Sequence, residues 1–391
     1  MTIAPAPTPL ATRARVPATG RVMVDARALG CSGIGRYLEE LLGHWLVEPP
    51  FAALTLLGDP DRLHALVAAR DAALPVTVLP HDGAFYTARA QRSWLGVRRR
   101  ALAGAAAAFF PHWDAPLVGL PAASVVTVHD LIHFRVAEAA SKLRRAAAGP
   151  VLRRVVAGAG RVVCGSEASR DDLVAMLPGV GDRVRVIPYG VSDRFRGVPP
   201  VGPPPVEGAY LLCVGNQKPH KNLAAAVDVL ARLRAGGRHA ALRLVLVGRR
   251  FAGGGVAERA RAQGVEDAIV ELGEIDDATL HRLYGGCTAL LFPSRYEGFG
   301  LPVVEAMAAG APVIASSTPA VAEAVDGVWP VYAPDDVAGM ATQVEALLAA
   351  PADHGRAVAR GRARAAALSW ATAARATARV LGEVAVGRVS A

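Results

Sequence analysis

Short runs of β-branched and aliphatic residues alternate with Ala- and Leu-rich helical stretches along almost the whole chain, and this alternation leaves few folds open. Strands buried on both faces read as continuous apolar runs, and a helix between successive runs is the crossover that parallel strands need. The pattern therefore predicts an α/β architecture, with parallel sheets covered by helices. A first series of strands is expected at Arg21–Asp25, Ala53–Leu57, Val76–Leu79, Ala107–Phe110, Ser124–His129, Arg161–Cys164 and Arg185–Ile187. A second is expected at Tyr210–Val214, Leu242–Val247, Ala268–Glu271, Ala289–Phe292 and Val313–Ala315.

Between the two series lies RGVPPVGPPPVEG, residues 196–208, too rich in Pro and Gly to continue a helix or a central strand. It reads as a linker. At 391 residues the chain exceeds the usual size of one hydrophobic core, so two domains are expected, over 21–195 and 209–367. Two such halves imply a cleft. Ligands of parallel sheets bind outside the carboxyl ends of the strands, so the loops after each strand are where chemistry is expected.

Residues 1–20 lack the apolar core of a secretory signal and read as a disordered tail. No run approaches the roughly 18 to 20 apolar residues that span a bilayer. The four cysteines, Cys31, Cys164, Cys213 and Cys287, are widely spaced, which suggests neither a disulfide framework nor a zinc cluster and fits a reducing cytoplasm. A net charge of +9 favours acidic partners. The arginine groups Arg98 to Arg100, Arg144 with Arg145, and Arg153 with Arg154 read as solvated helix faces, with peripheral contact to an anionic membrane as the second reading. Nucleic acid is not expected, because aromatic residues, 5% of the chain, do not interleave with the basic clusters.

The most specific string is EGFGLPVVE, residues 297–305, between the apolar run ALLFP and a helical stretch. Glu297 falls in a Gly-containing loop, Pro302 suits a first helical turn, and Glu305 lies about one turn inside. A helix start here favours a phosphate, and two carboxylates can accept hydrogen bonds from sugar and ribose hydroxyls. The plain alternative is a strand-loop-helix turn with two surface glutamates. GNQKPHKN, residues 215–222, follows another strand and brings Asn216, Lys218 and Lys221 to a helix start, where ammonium groups suit a diphosphate leaving group; the alternative is an ordinary helix start. DARALGCSGIGRY, residues 25–37, offers Gly33 and Gly35 for close backbone approach to a phosphate or sugar. In HDLIH, His129 and Asp130 end a strand that points into the cleft. Metal binding by its H-x-x-x-H spacing wants both histidines on one helix face, so a histidine satisfied by backbone, or one that contacts ligand, is preferred.

With these motifs the chain resembles the retaining glycosyltransferases of family 4, whose E-x7-E pattern matches Glu297 and Glu305, over roughly residues 21 to 380. The resemblance implies the GT-B fold, two facing Rossmann-like domains with a cleft between them. It also implies that the segment 368–391 is a terminal helix packing back on the first domain. Carried over, Glu297 contacts the donor sugar and Glu305 the ribose, while the backbone amides of Phe299, Gly300 and Leu301 lie near the sugar and diphosphate. Lys221 matches the family's phosphate-binding lysine. His220 stands where arginine is common, which leaves Lys218 as a second cation. His129 is implied to contact the donor hexose, with Asp130 orienting it or the acceptor hydroxyl. The turn GSEASRDDL, residues 165–173, and IPYGV, residues 187–191, resemble structural turns of the family.

The function implied is retaining transfer of a hexose from a nucleoside diphosphate sugar to a glycan or lipid-linked acceptor in polysaccharide biosynthesis, without metal or other cofactor. GIGRY, VHDL and PHKN resemble bacterial mannosyltransferase-like members, so GDP-mannose is the first donor considered; UDP-glucose, UDP-N-acetylglucosamine and deoxyhexose donors stay open. The location implied is cytoplasmic, or peripheral at the inner face of the membrane. Two other readings exist. An NAD(P)-binding oxidoreductase is suggested by the glycine loop, but no Tyr has a Lys four residues later and no acidic residue ends the second strand near Leu56 and Leu57. A non-catalytic nucleotide-sugar binder would be expected to lose the glutamate pair or Lys221.

Overall fold

The structure, a computed structural model, describes residues 19–136, 142–203, 205–250, 255–350 and 354–386. In the first half, β1 (Thr19–Asp25), β2 (Phe51–Gly58), β3 (Val76–Pro80), β4 (Ala105–Phe110), β5 (Ser124–Val128), β6 (Arg161–Cys164) and β7 (Val184–Val186) form one parallel sheet in the order 3-2-1-4-5-6-7. In the second, β8 (Tyr210–Val214), β9 (Arg243–Val247), β10 (Ile269–Gly273), β11 (Ala289–Phe292), β12 (Val313–Ser316) and β13 (Val331–Tyr332) form another in the order 10-9-8-11-12-13. The fold is α/β with two parallel sheets, as the alternation predicts, each doubly wound and Rossmann-like, as the family resemblance implies. Every strand expected from sequence is present, with ends displaced by a residue or two. The addition is β13, two residues between Pro330 and Pro334, too short to make an apolar run.

Thr19 and Gly20 already belong to β1, where Thr19 pairs with Phe51, so the tail expected over 1–20 is shorter by these two; its remainder lies outside the described residues. The described part of 196–208 carries neither helix nor strand, and Val198 and Val201 are almost wholly exposed.

Both sheets change winding direction at one place, between β1 and β4 in the first and between β8 and β11 in the second. Neighbouring loops part at such a point and leave a crevice at the carboxyl ends. The loops that follow β1, β8 and β11 hold the Gly33, Lys221 and Glu297 motifs.

The final helix, Trp370–Val386, lies on the first half. Trp45 donates its indole N–H to Ala374 O (3.0 Å), and Arg161 Nε reaches Glu383 (3.1 Å). Residues 387–391 lie outside the described residues. Where the chain turns into this helix, Val191 bridges Ser369, and Tyr189 stacks on Trp370 with ring centroids 5.8 Å apart. Tyr189 also meets Tyr37 and Phe299, each at 5.0 Å, so one aromatic cluster joins the hydrophobic cores of both halves. Gly190 permits this crossing: a Cβ there would overlap the Trp370 backbone nitrogen and lie 2.6 Å from Trp370 Cα. Because backbone cannot rotate away as a side chain can, Gly190→Ala is expected to cost about 1–3 kcal/mol. A lowered melting temperature in calorimetry would show this; an unchanged one would mean the crossing relaxes freely.

Candidate active site

The EGFGLP loop leaves β11 and enters the helix Leu301–Ala309 through Gly300, whose φ of 102° is left-handed and therefore suits glycine. No side chain caps this helix start, so its first backbone N–H groups remain suited to an anion. The loop is gripped by the first half. Ser166 Oγ donates to Gly298 O (2.7 Å), and Ser169 Oγ lies 3.0 Å from the same carbonyl and 3.1 Å from His129 O. A Cβ on Gly298 would overlap the His129 carbonyl and lie 2.9 Å from Asp130 Cβ, so only glycine lets the two loops touch. Tyr296 donates its hydroxyl proton to Asp172 (2.8 Å) and accepts from Leu131 N (3.1 Å). Glu323, on the helix Pro319–Val325, accepts from Glu167 N (3.0 Å) and so caps the helix Glu167–Met176 across the divide.

Glu297 turns toward the loop after β8. Its Oε1 lies 2.7 Å from Lys221 Nζ, with both side chains largely buried. Lys221 ends a 3-10 turn, Pro219–Lys221; Asn222 then takes a left-handed φ of 55° and donates to Pro334 O (2.8 Å), which fixes the start of the helix Leu223–Arg234. A cavity of about 10 Å³ lined by Gly215, Lys221, Phe292 and Ser294 lies behind the pair. On the same loop Asn216 is half-buried and Lys218 exposed. His220 points inward; burial, reinforced by Lys221, pushes its pKa down to about 4, so it is neutral at physiological pH and does not supply the charge of the arginine it replaces.

Glu305 is 4% exposed, and each of its oxygens has one side-chain partner. Arg36 Nη1 lies 2.6 Å from Oε1, and the Tyr284 hydroxyl donates to Oε2 (3.1 Å). Arg36 belongs to the helix Ser32–Val47 of the first half and also pairs with Asp277, which pairs in turn with Arg194. Burial raises the Glu305 pKa, and Arg36 only partly restores it. For Arg36 burial acts downward, yet Glu305 and Asp277 more than reverse it, so the guanidinium is firmly charged.

Gly33 and Gly35 sit inside the first turn of the helix Ser32–Val47, not in the loop before it. Gly35 serves packing: a Cβ there would lie 2.7 Å from Ala28 O. Gly33 has open space around it and stays accessible to a ligand. Phe299 is buried against Tyr189, so only its backbone is available.

His129 differs from the role implied by resemblance. Its strand ends one residue earlier than expected, its Nε2 lies 2.7 Å from Pro111 O, and its Nδ1 lies 2.6 Å from the Tyr189 hydroxyl. The carbonyl can only accept, so Nε2 carries the proton and Nδ1 accepts from Tyr189. Both ring nitrogens are spent within the first half, and burial lowers the pKa. This is the alternative of a histidine satisfied internally, and the geometry gives no ring nitrogen to a hexose. Asp130 accepts from Ile132 N (3.0 Å) and thereby fixes the short helix Ile132–Arg135.

Sequence reading missed Arg36, Asp277 and Tyr284, and also an aromatic wall beyond the ends of β3 to β5. Tyr86, 51% exposed and at a left-handed φ of 62°, packs on Trp113 with ring centroids 4.9 Å apart. It accepts at its hydroxyl from His112 Nε2 (3.1 Å) and donates its N–H to Asp114 (2.9 Å). Asp114 and Asp25 flank the buried Arg27. His133 lies 6.4 Å from Tyr86 and close enough to His220 to affect its charge, so the wall leads toward Lys221. The FY and HW pairs were visible in sequence; the strained conformation that exposes Tyr86 was not. Among the described residues, no cluster of three or more His, Cys, Asp or Glu is arranged to hold a metal ion.

Two facing Rossmann-like sheets with paired carboxylates and a lysine at the carboxyl ends define the class of GT-B glycosyltransferases. Residues 101–195 match the family model described as Glycosyltransferase Family 4, and residues 208–350 the one described as Glycosyl transferases group 1. The chain is thus a glycosyltransferase of the GT-B type, similar to those of family 4. It is 28% identical over 255 residues to the O-antigen chain mannosyltransferase B of Escherichia coli, covering 63% of this chain and 67% of that one. It is 35% identical over 217 residues to the glycogen synthase of Mycobacterium tuberculosis, covering 54% and 52%. The matches thus span about half to two thirds of the length of these curated relatives. The structure of Anabaena HepE in complex with UDP aligns with a TM-score of 0.70 at 17% identity, covering 93% of this chain and all of that one, which establishes a shared fold.

The depressed His220 pKa has a measurable consequence. Protonation favours the unfolded chain, so the contribution of His220 to stability is complete above its unfolded pKa of 6.5 and is lost as pH falls toward about 4. His220→Gln is therefore expected to flatten the decline of stability across that window in denaturant titrations; an unaltered slope would mean that the ring is not buried in solution.

Proposed function

We propose that the protein is a retaining hexosyltransferase that moves a hexose, with mannose from GDP-mannose the first candidate, onto a glycan or lipid-linked acceptor in polysaccharide biosynthesis. The observation that carries the reading is the Lys221–Glu297 pair beside the helix start at Leu301, with the buried Glu305 one turn further on. A departing nucleoside diphosphate gathers negative charge, which the Lys221 ammonium and the helix N-terminus stabilise. Glu297, drawn from Lys221 as the phosphates engage the ammonium, accepts from a sugar hydroxyl and offsets positive charge on the oxocarbenium-like ring. Glu305 accepts from ribose, Gly33 and the amides of Gly300 and Leu301 border the diphosphate, and Asn216 and Lys218 lie at its edge. Retention follows a front-face course in which the leaving phosphate helps to deprotonate the acceptor hydroxyl, so neither a protein base nor a metal is required.

His129 acts as scaffold, a neutral ring that fixes the end of β5 against Tyr189. The acceptor lies against Tyr86 and His133, whose ring faces suit the apolar face of a sugar. Mannose is supported by the Escherichia coli relative, an O-antigen chain mannosyltransferase, and a nucleotide in the cleft by the UDP complex of the Anabaena protein. No helix among the described residues is long and apolar enough to cross a membrane. The helix Ala88–Ala101 carries Arg98 to Arg100 and the exposed Leu95 without an acidic residue, which supports a cytoplasmic protein that touches an anionic membrane at its periphery.

Calorimetric titration with GDP, UDP, ADP and dTDP tests the donor site. One nucleotide is expected to bind selectively in the micromolar range, and Lys221→Ala and Glu305→Ala each to weaken it roughly 10- to 100-fold, the range for a charge-assisted hydrogen bond. Glu297→Ala is expected to fold and bind nucleotide but to lose transfer by on the order of 100-fold or more. Failure of all four nucleotides to bind, or undiminished turnover in Glu297→Ala, would sink the assignment.

A further inference from the structure

The first half reaches the nucleotide end of the cleft through the arginine of GIGRY, to which the sequence assigns no role. Arg36 extends from the helix Ser32–Val47 to two carboxylates of the second half, with Nη1 on Glu305 (2.6 Å) and Nη2 on Asp277. The guanidinium also lies over the Phe195 ring, 5.4 Å from its centroid. Asp277 takes Arg194 on its other oxygen, and Arg194 lies 3.5 Å from Glu40, one turn beyond Arg36 on the same helix. Charges therefore alternate along Glu40, Arg194, Asp277, Arg36 and Glu305. The planar fork of arginine can span two carboxylates at once, which a lysine ammonium does less well.

We infer that Arg36 is a donor-positioning residue acting through Glu305: it holds that carboxylate in the orientation and charge state that ribose hydroxyls require, so the nucleotide site is complete only when the two halves are docked. The inference rests on the reading of Glu305 as the ribose carboxylate. An ionised carboxylate has about four acceptor positions. Arg36 and the Tyr284 hydroxyl take one each, which leaves acceptors for ribose. A protonated Glu305 would have fewer acceptor positions and one proton to place. Without Arg36, a carboxylate 4% exposed would keep Tyr284 as its one direct partner, and burial would favour the neutral form.

The neighbours of Glu305 fix the sign. Asp277 raises its pKa further, Tyr284 is itself held protonated by burial, and Arg194 is engaged by Asp277. Among the other elements packed on the helix Leu301–Ala309, β11 and β12 carry no charge. Arg362 lies at the far end, near Ala309 O (3.5 Å), Glu323 is turned to Glu167 N, and Asp193 pairs with Arg196 (3.0 Å). Arg36 is thus the cation that opposes the effect of burial on Glu305, and its removal moves protonation of Glu305 to higher pH.

The test is calorimetric affinity for whichever of GDP, UDP, ADP and dTDP binds best, measured from pH 5.5 to 8.5 on the full chain. The terminal phosphate of free nucleotide titrates identically whichever protein is present, so the ratio of variant to wild-type affinity is the readout. Arg36→Gln is expected to bind within a few-fold of wild type at pH 8.5 and to fall at least tenfold behind it by pH 6. Arg36→Lys, which keeps the charge, is expected to move the ratio back toward one and serves if the glutamine variant does not fold. Glu305→Gln combined with Arg36→Gln is expected to remove the pH dependence of the ratio. A ratio that is constant with pH, whether near one or uniformly low, overturns the inference, because loss of docking alone would weaken binding equally at every pH. Absence of nucleotide binding by the wild type would instead remove the proposed function, and this inference with it.

Discussion

The cleft is organised by one close approach, the carbonyl of Gly298 lying under the Ser166 and Ser169 hydroxyls with the His129 carbonyl against its Cα. A backbone carbonyl shielded from water needs a donor, and here the donors come from the opposite half of the molecule. Ser166 also caps its own helix through Ser169 N (3.1 Å), so a helix start of the first half and the motif loop of the second are fixed by the same side chain. Glu297, one residue before Gly298, is aimed by this contact, as is the helix start that follows. The glycines of the motif are thus of two kinds: Gly298 is demanded by the neighbour it touches, and Gly300 by its backbone angle.

Charge in the cleft is kept in pairs that a ligand can exchange. A buried ion pair gains little net free energy, because desolvation offsets attraction, while a buried ion without a partner is costly. Lys221 with Glu297 and Arg36 with Glu305 therefore form a surface that tolerates either internal pairing or exchange with phosphate and hydroxyl groups. The histidines nearby do the opposite. His112, His129 and His220 are all held below their ordinary pKa by burial, and as neutral rings they shape the wall without competing for an anion. The positive charge facing a diphosphate thus rests with lysine and arginine, whose charge does not change across the physiological range.

The sheets were legible from sequence because strands buried on both faces leave uninterrupted apolar runs, and because Pro and Gly punctuate the ends. β13 escaped because two residues make no run. The site was legible where one local segment carries it, as in EGFGLPVVE and PHKN. It was illegible where a partner comes from far along the chain: Arg36 and Glu305 are 269 positions apart, and nothing in GIGRY shows that its arginine crosses to the other half. His129 shows the converse. Its place at a strand end was readable, but the hydroxyl that occupies Nδ1 belongs to Tyr189, 60 positions on, so whether its ring faced ligand or protein could not be read locally.

The two kinds of contact between the halves differ in what they cost to disturb. Near the chain crossing they are apolar, with Tyr189, itself stacked on Trp370, tilted against Phe299, and separating such rings exposes area that water disfavours. Elsewhere they are polar, carried by Arg36, Tyr296 and Glu323, and hydrogen bonds broken there are largely replaced by bonds to water or to a ligand. A relative motion of the halves is therefore cheaper when it parts the polar contacts and turns about the aromatic cluster.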